Sequence, residues 1–135
     1  MTEDSVELVR RVYEAFSERD IEMFLELCDP DIEFFPAGTS GLSRGGAAYR
    51  GHAGIGAYFA DVERTWEELR LAPQTFRAIG DHVLVRGRVY ARARDGLLID
   101  SPAQWVWRVE NAKVVWGSAT SEQDEEFGLD EPPKP

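Results

Sequence analysis

The sequence has few histidines, one cysteine and a shortage of positive charge, and each shortage argues against a class of function. Its single cysteine, Cys28, cannot form a disulfide within the chain. The two histidines, His52 and His82, lack the neighbouring ligand residues of a metal site, so we expect no metal and no cofactor. With 15 Lys and Arg against 25 Asp and Glu, the formal net charge of −10 disfavours nucleic acid and anionic membranes as partners.

Long apolar runs are also missing, since no stretch approaches the roughly 20 residues that cross a bilayer. The chain begins with acidic residues where a secretion signal would be basic, so we expect a cytoplasmic protein. A length of 135 residues fits one domain. We predict a single domain over residues 1–121 and an acidic, proline-rich tail over residues 122–135.

Apolar spacing predicts helices first and strands afterwards. Apolar residues recur every three or four positions in three segments: residues 4–17 with Asp4 as the cap, a short helix from Asp20 that Pro30 ends, and residues 52–66. A short strand over residues 32–35 and a glycine-rich loop over residues 37–50 separate the last two helices.

From residue 69 the apolar period changes to two, which predicts strands over residues 69–79, 83–94, 97–110 and 113–121. The short turns between them predict an antiparallel meander, with Asp95-Gly96 as the strongest turn signal. The predicted fold class is α+β, a cone in which three N-terminal helices pack on a curved antiparallel sheet.

Several short motifs occur in the order found in the SnoaL-like branch of the nuclear transport factor 2-like superfamily, which this sequence resembles. They are Val9–Phe16 followed by Asp20, Asp29–Phe34, Tyr49-Arg50-Gly51, Gly80–Val83, Trp107-Arg108-Val109 with Lys113-Val114-Val115, and Phe127-Gly128-Leu129. The resemblance implies a pocket between the helices and the concave face of the sheet, which holds a small and mostly apolar ligand. It also implies a homodimer formed through the sheet.

The resemblance to ketosteroid isomerases does not bring their catalytic residues with it. The position of the carboxylate base falls on Phe35, that of the oxyanion tyrosine on Val12 or, with a slip of one residue, Tyr13, and that of the protonated acid on Trp105. Isomerase chemistry needs a base and hydrogen-bond donors for the enolate oxygen, so these positions disfavour that reaction.

Polyketide cyclases of the SnoaL type use an acidic residue, and Glu33 is the candidate here because it alternates onto the same strand face as Phe35. If that face lines the pocket, burial raises the pKa of Glu33 and suits it to proton transfer. If Ile32 and Phe34 face inward instead, Glu33 is an ordinary exposed glutamate, and this second interpretation has the stronger prior because glutamate is rarely buried unpaired.

Aromatic side chains and a few polar tips predict the lining of the pocket, although the same residues also suit a filled core. The candidate pocket residues are Tyr13, Phe16, Phe35, Tyr58, Phe59, Trp66, Ser101, Trp105 and Trp107. Three functions remain open: binding of a small apolar molecule without a clear catalytic constellation, a cofactor-independent cyclase, isomerase or dehydratase that uses Glu33, and a non-catalytic dimerising module.

Four arginines predict the surface at which the sheets of two copies meet. Alternation places Arg86, Arg88, Arg92 and Arg94 on one strand face, opposite the apolar residues of the same strand. The face suits a solvated strand edge or a homodimer interface, and because the chain is acidic we favour the interface over a nucleic-acid site. The acidic residues of the tail, including Glu122 and Asp124, are then candidate partners for the arginines.

Overall fold

The computed structural model describes residues 2–36 and 49–121. Within them, two helices precede the six strands of one sheet, and a third helix lies between the second and third strands. The elements in chain order are α1 (Thr2–Ser17), α2 (Ile21–Leu27), β1 (Cys28–Pro36), β2 (Tyr49–Arg50), α3 (Gly51–Thr65), β3 (Trp66–Ile79), β4 (His82–Ala93), β5 (Leu98–Glu110) and β6 (Lys113–Ser121). The sheet order is β2-β1-β6-β5-β4-β3. The predicted α+β class is confirmed. The predicted tail and most of the predicted loop over residues 37–50 lie outside the described residues.

The four long strands form the predicted antiparallel meander, but the sheet as a whole is mixed. Strand β1 pairs in parallel with β6, so that Phe34 lies opposite Gly117 and Glu33 opposite Trp116. The turn signals in the sequence predicted the meander. Strands β1 and β6 are far apart in the sequence, and no local turn signals their pairing.

The joint between the first two helices is set by hydrogen bonds. Arg19 has a positive φ of 54°, and the amides of Arg19 and Asp20 donate to the carbonyls of Phe16 and Ala15, at 3.0 and 2.8 Å. This is the double bond of a Schellman C-cap. The Asp20 side chain then accepts from the amide of Met23 at 3.1 Å and caps α2 as predicted.

Three predicted boundaries are wrong. Helix α1 begins at Thr2, so Asp4 lies in its first turn and is not the cap. Helix α2 ends at Leu27, and Cys28 already belongs to β1. Pro30 disfavours a helical conformation for the residue before it, so the helix cannot continue up to the proline. Trp66, predicted on the apolar face of the third helix, is the first residue of β3.

The turns also differ from the prediction in one respect. Asn111 and Ala112 both have positive φ, 53° and 62°, as a type I′ turn requires, whereas only Gly96 does so in the Asp95-Gly96 turn. The core lies between the helices and one face of the sheet, which we call the inner face. Its central residues are the fully buried Val9, Val83 and Val85. Among the described residues no helix is long and apolar enough to cross a membrane.

Candidate functional site

A small cavity lies between α1, the inner face of the sheet and α3. Its lining is almost entirely apolar and aromatic: Val12, Tyr13, Phe16, Phe24, Phe34, Pro36, Tyr58, Leu71, Trp105 and Trp107. The side chains leave a free volume of about 20 Å³, which is room for about one water molecule. The inner face therefore carries a packed aromatic layer with a small space within it.

Tyr13 is the centre of this layer. Its ring makes edge contacts with the rings of Trp105 and Trp107, at centroid distances of 5.4 and 5.8 Å. Ring pairs in this arrangement contribute about 0.5–1.5 kcal/mol each beyond their buried area. Helical spacing places Tyr13 on the apolar face of α1, and strand alternation places the two tryptophans on the inner face of β5. The three side chains meet where these two faces pack together.

The Tyr13 hydroxyl is the polar group that the geometry defines best. It accepts a hydrogen bond of 3.1 Å from the indole nitrogen Nε1 of Trp107. Burial raises the pKa of Tyr13 well above its usual value, against a smaller lowering by that hydrogen bond, so the phenol is protonated at neutral pH. Among the described residues none accepts the hydroxyl proton, which leaves the phenol able to donate to a bound molecule.

Gly117 makes the position of Trp107 possible. A Cβ atom at Gly117 would lie 2.6 Å from two carbons of the Trp107 ring. The indole therefore occupies the space beside Gly117, where Phe34 stacks on it at a centroid distance of 5.6 Å and an interplanar angle of 17°. The missing side chain on β6 thus positions the indole that binds Tyr13.

Five of the predicted pocket residues line the cavity: Tyr13, Phe16, Tyr58, Trp105 and Trp107. The other four lie elsewhere. Phe59 packs behind the lining, in edge contact with Phe16 and Phe24, and Trp66 is buried at the start of β3. Ser101 is on the inner face opposite Val89, away from the lining residues.

The enzyme hypothesis requires Glu33 to face the cavity, but β1 turns its other face towards the core. Ile32 and Phe34 are buried, while Glu33 and Phe35 lie on the outer face of the sheet. The Glu33 side chain is 41% exposed and forms an ion pair with Arg50 on the neighbouring β2. The placement of Glu33 and Phe35 in the pocket is therefore corrected, because the apolar Ile32 and Phe34 take the inner positions on β1.

Sequence reasoning missed the contributions of Phe24, Phe34, Pro36 and Leu71 to the lining. A signal for Phe34 was present, since alternation with the fully buried Ile32 puts the two on one face. Alternation with the buried Leu69 was likewise a signal for Leu71, whereas the bulge after Pro73 changes which of the later residues on β3 face inward.

A buried carboxylate, also missed, lies beside the cavity wall. Asp61 on α3 is 5% exposed and accepts a hydrogen bond of 2.6 Å from the hydroxyl of Tyr49, whose ring contacts Tyr58 at a centroid distance of 5.3 Å. Arg64 pairs with the other oxygen of Asp61. These contacts join β2 to α3, and we assign the carboxylate to holding the two elements together.

Two arginines of the predicted arginine face, Arg88 and Arg92, form ion pairs within the chain. Arg88 pairs with Asp100 at 2.9 Å and Arg92 with Glu67 at 2.9 Å, both on the outer face. Arg94 does not share that face: its guanidinium donates to the carbonyl of Glu63 at 2.6 Å, at the end of α3. A cation is favourable at a helix C-terminus, so Arg94 caps α3.

Among the residues that the structure describes, the remaining titratable groups support no metal centre or nucleophile. His52 Nε2 lies 3.1 Å from the carbonyl oxygen of Cys28, and His82 pairs with Asp81. Burial raises the pKa of Cys28 to about 12, so its thiol is unreactive at neutral pH. Within the described part of the chain, no three His, Cys, Asp or Glu side chains are grouped as metal ligands would be.

Comparison with known proteins gives the same family as the resemblance. Residues 9–116 match the sequence profile of the SnoaL-like domain. Among curated proteins, none matches the chain significantly.

Two of the solved structures that match this chain are each 28% identical to it. One is an NTF2-like protein of unknown function from Burkholderia pseudomallei, which matches 93% of this chain and 96% of its own with a TM-score of 0.79. The other is TerC, co-crystallised with polyporic acid, which matches 93% and 97% with a TM-score of 0.78. A putative SnoaL-like polyketide cyclase from Jannaschia sp. is 16% identical over 98% and 95%, with a TM-score of 0.74, and this likeness concerns the fold.

Proposed function

Because the chain belongs to the SnoaL-like domain family, we propose that it binds a small, mostly apolar molecule between the helices and the inner face of the sheet. One observation carries the proposal: the Tyr13 hydroxyl accepts from Trp107 inside an aromatic lining and keeps its own proton for a bound oxygen. Ligand sites generally combine apolar walls with a few placed polar groups. TerC, which is 28% identical to this chain, was co-crystallised with polyporic acid, and this supports a small organic ligand here as well.

Binding is favoured over catalysis by what the lining contains. Among the described lining residues there is no carboxylate and no imidazole, and acid–base chemistry needs a group that moves a proton. Glu33 lies outside, and Asp61 is engaged by Tyr49 and Arg64. The site therefore supports recognition of a ligand oxygen better than proton transfer.

The second candidate is a cofactor-independent cyclase, isomerase or dehydratase, and Tyr13 is the residue that favours it. A protonated phenol hydrogen-bonded by an indole can donate to a carbonyl oxygen and stabilise the charge that develops there during enolisation. Under this candidate Tyr13→Phe lowers turnover, whereas Glu33→Gln leaves it unchanged because Glu33 is on the other face.

We also propose a homodimer through the outer face of the sheet. Phe35 and Trp116 are only partly buried there, with ring centroids 6.1 Å apart. An apolar centre with a rim of paired charges such as Arg88–Asp100 is the usual anatomy of a protein interface. Trp116→Glu is expected to yield a monomer in native mass spectrometry, and a persistent dimer would contradict this surface.

Native mass spectrometry of the purified protein tests the ligand proposal directly. We expect a small molecule retained in the gas phase, or saturable binding when polyporic acid is added. The variant Tyr13→Phe removes the cavity hydroxyl, and Tyr90→Phe removes a hydroxyl from the outer face as the matched control. Weakened binding in the first variant alone supports the site, while equal binding in both contradicts the role of Tyr13.

A further inference from the structure

A surface groove between α1 and β3 lies directly against the aromatic cavity. The groove has a volume of about 360 Å³, against about 20 Å³ for the cavity. Its apolar side is formed by Leu71, Pro73 and Phe76 of β3, and its polar side by α1 residues that include Arg10 and Glu14. The cavity alone is too small for an organic ligand, whereas the groove offers room for one along an open surface.

Two side chains line both spaces and separate them. Tyr13 and Leu71 belong to the wall of the groove and to the wall of the cavity. The Tyr13 ring contacts Phe76 in the groove at a centroid distance of 6.0 Å and Trp105 in the cavity at 5.4 Å. Leu71 is only partly buried. The barrier is therefore one side-chain layer thick, and its outer member is a flexible aliphatic group.

A bulge in β3 creates this arrangement. Leu71 pairs with Val89 and Phe76 with Val85, so the register shift between Pro73 and Thr75 brings an odd-numbered and an even-numbered residue to the inner face. The bulge comes very close to β4 at Gly87, where a Cβ atom would lie 2.1 Å from the carbonyl oxygen of Ala72. Glycine at this position allows β3 to bend while it remains paired at the edge of the sheet.

We propose that the groove and the cavity are two halves of one ligand site, reached between α1 and β3 when the Leu71 side chain moves aside. This proposal rests on the ligand-binding function proposed above. It specifies the ligand class as an elongated molecule with an apolar end that enters between Tyr13 and Trp105. A hydrogen-bonding group at its other end remains at the polar rim near Arg10 and Glu14. The Tyr13 hydroxyl then binds an oxygen in the inner part of the molecule.

Quenching of tryptophan fluorescence by acrylamide tests the route without any ligand. The background variant Trp116→Phe removes the partly exposed tryptophan of the outer face, so that Trp105 and Trp107 report on the cavity together with the buried Trp66. In this background we expect Leu71→Ala to raise the Stern–Volmer constant about twofold, because shortening the side chain opens the wall. Leu71→Phe should lower the constant, because the larger side chain closes the wall, and an unchanged constant in this variant contradicts the route if the alanine variant folds poorly.

Leu69→Ala is the matched control. Leu69 is two positions earlier on β3, on the inner face opposite Ala91, and it is buried without lining either space. If Leu69→Ala raises the Stern–Volmer constant as much as Leu71→Ala, the effect is general loosening and the route is wrong. An unchanged constant in a folded Leu71→Ala variant overturns the proposal as well.

Stopped-flow mixing with polyporic acid connects the route to binding. We expect the association rate constant to rise several-fold in Leu71→Ala and to fall in Leu71→Phe, with no change in Leu69→Ala. If polyporic acid does not bind the parent protein while the acrylamide result holds, the route stands and polyporic acid is excluded as a ligand of the site. If polyporic acid binds and its rate constant ignores Leu71, the ligand function stands and the route is wrong.

Discussion

The two faces of the sheet carry opposite chemistry. The inner face presents Tyr13 and Trp107 joined by a hydrogen bond within aromatic rings, with no ionised group among its described lining residues. The outer face carries ion pairs such as Glu33–Arg50 and Arg88–Asp100, which are open to solvent. Uncharged hydrogen bonding is thus concentrated in the buried aromatic layer, and charge where water screens it.

The inner face should tolerate added volume poorly, and Gly117→Ala is the largest predicted effect. The new methyl group would lie 2.6 Å from the Trp107 ring, so the indole must shift away from Tyr13 and Phe34. We expect a loss of about 2–3 kcal/mol in the free energy of unfolding, measured by chemical denaturation. Gly56→Ala is the control, since its Cβ would meet nothing closer than 3.9 Å. Equal stability of the two variants would contradict the packing described here.

The tyrosine–indole hydrogen bond should contribute measurably to stability. Trp107→Phe leaves the buried Tyr13 hydroxyl without its donor and removes ring volume, for an expected cost of about 2 kcal/mol. In a double-mutant cycle, adding Tyr13→Phe should cost less in the Trp107→Phe background than in the parent. Additive losses would mean that the two groups do not interact.

Burial at the start of β1 should make stability fall at alkaline pH. The pKa of the Cys28 thiol is raised to about 12 by burial, so the folded state keeps a proton that the unfolded chain releases above its own pKa near 9. Stability from this group is therefore complete below pH 9 and is lost as the pH rises towards 12. We expect a loss of about 1 kcal/mol between pH 9 and 10. In Cys28→Ala this slope should be smaller, and an identical slope would exclude the thiol as its source.

Substitutions on the outer face should change the free energy of unfolding least. Glu33→Gln removes a partly exposed ion pair, and such pairs contribute about 0–1 kcal/mol. We expect a change below about 0.5 kcal/mol in the free energy of unfolding, and no change in acrylamide access to the tryptophans of the cavity. Glu110→Gln, which breaks the outer pair with Arg108, is the matched control. A large loss in Glu33→Gln alone would show that this carboxylate has a structural role beyond its ion pair.

Local patterns were sufficient for most of the fold. Helical spacing of Val9, Tyr13 and Phe16 and strand alternation of Trp105 and Trp107 depend on nearest neighbours along the chain, and the structure confirms both. The parallel pairing of β1 with β6 depends on contacts between distant segments. The bulge in β3 likewise follows from the close approach to Gly87, so alternation alone could not predict the inward position of Phe76.

The candidate site, too, could be predicted from the sequence only where local patterns determine which residues face inward. The sequence identified the aromatic lining that comes from α1, α3 and β5, because each of these elements has one unambiguous apolar face. The two faces of β1 were ambiguous because both carry a phenylalanine, and pairing with β6 decided between Glu33 and Phe34. The groove beside Leu71 became visible only when α1 and β3 were placed together.

Titration of the protein with polyporic acid, followed by tryptophan fluorescence in the Trp116→Phe background, tests whether a ligand binds at the inner face. We expect Tyr13→Phe to weaken binding about tenfold, as the loss of one buried hydrogen bond of about 1.4 kcal/mol would, while Glu33→Gln binds as tightly as the parent. Absence of saturable binding, or weakened binding in Glu33→Gln with none in Tyr13→Phe, would contradict this expectation.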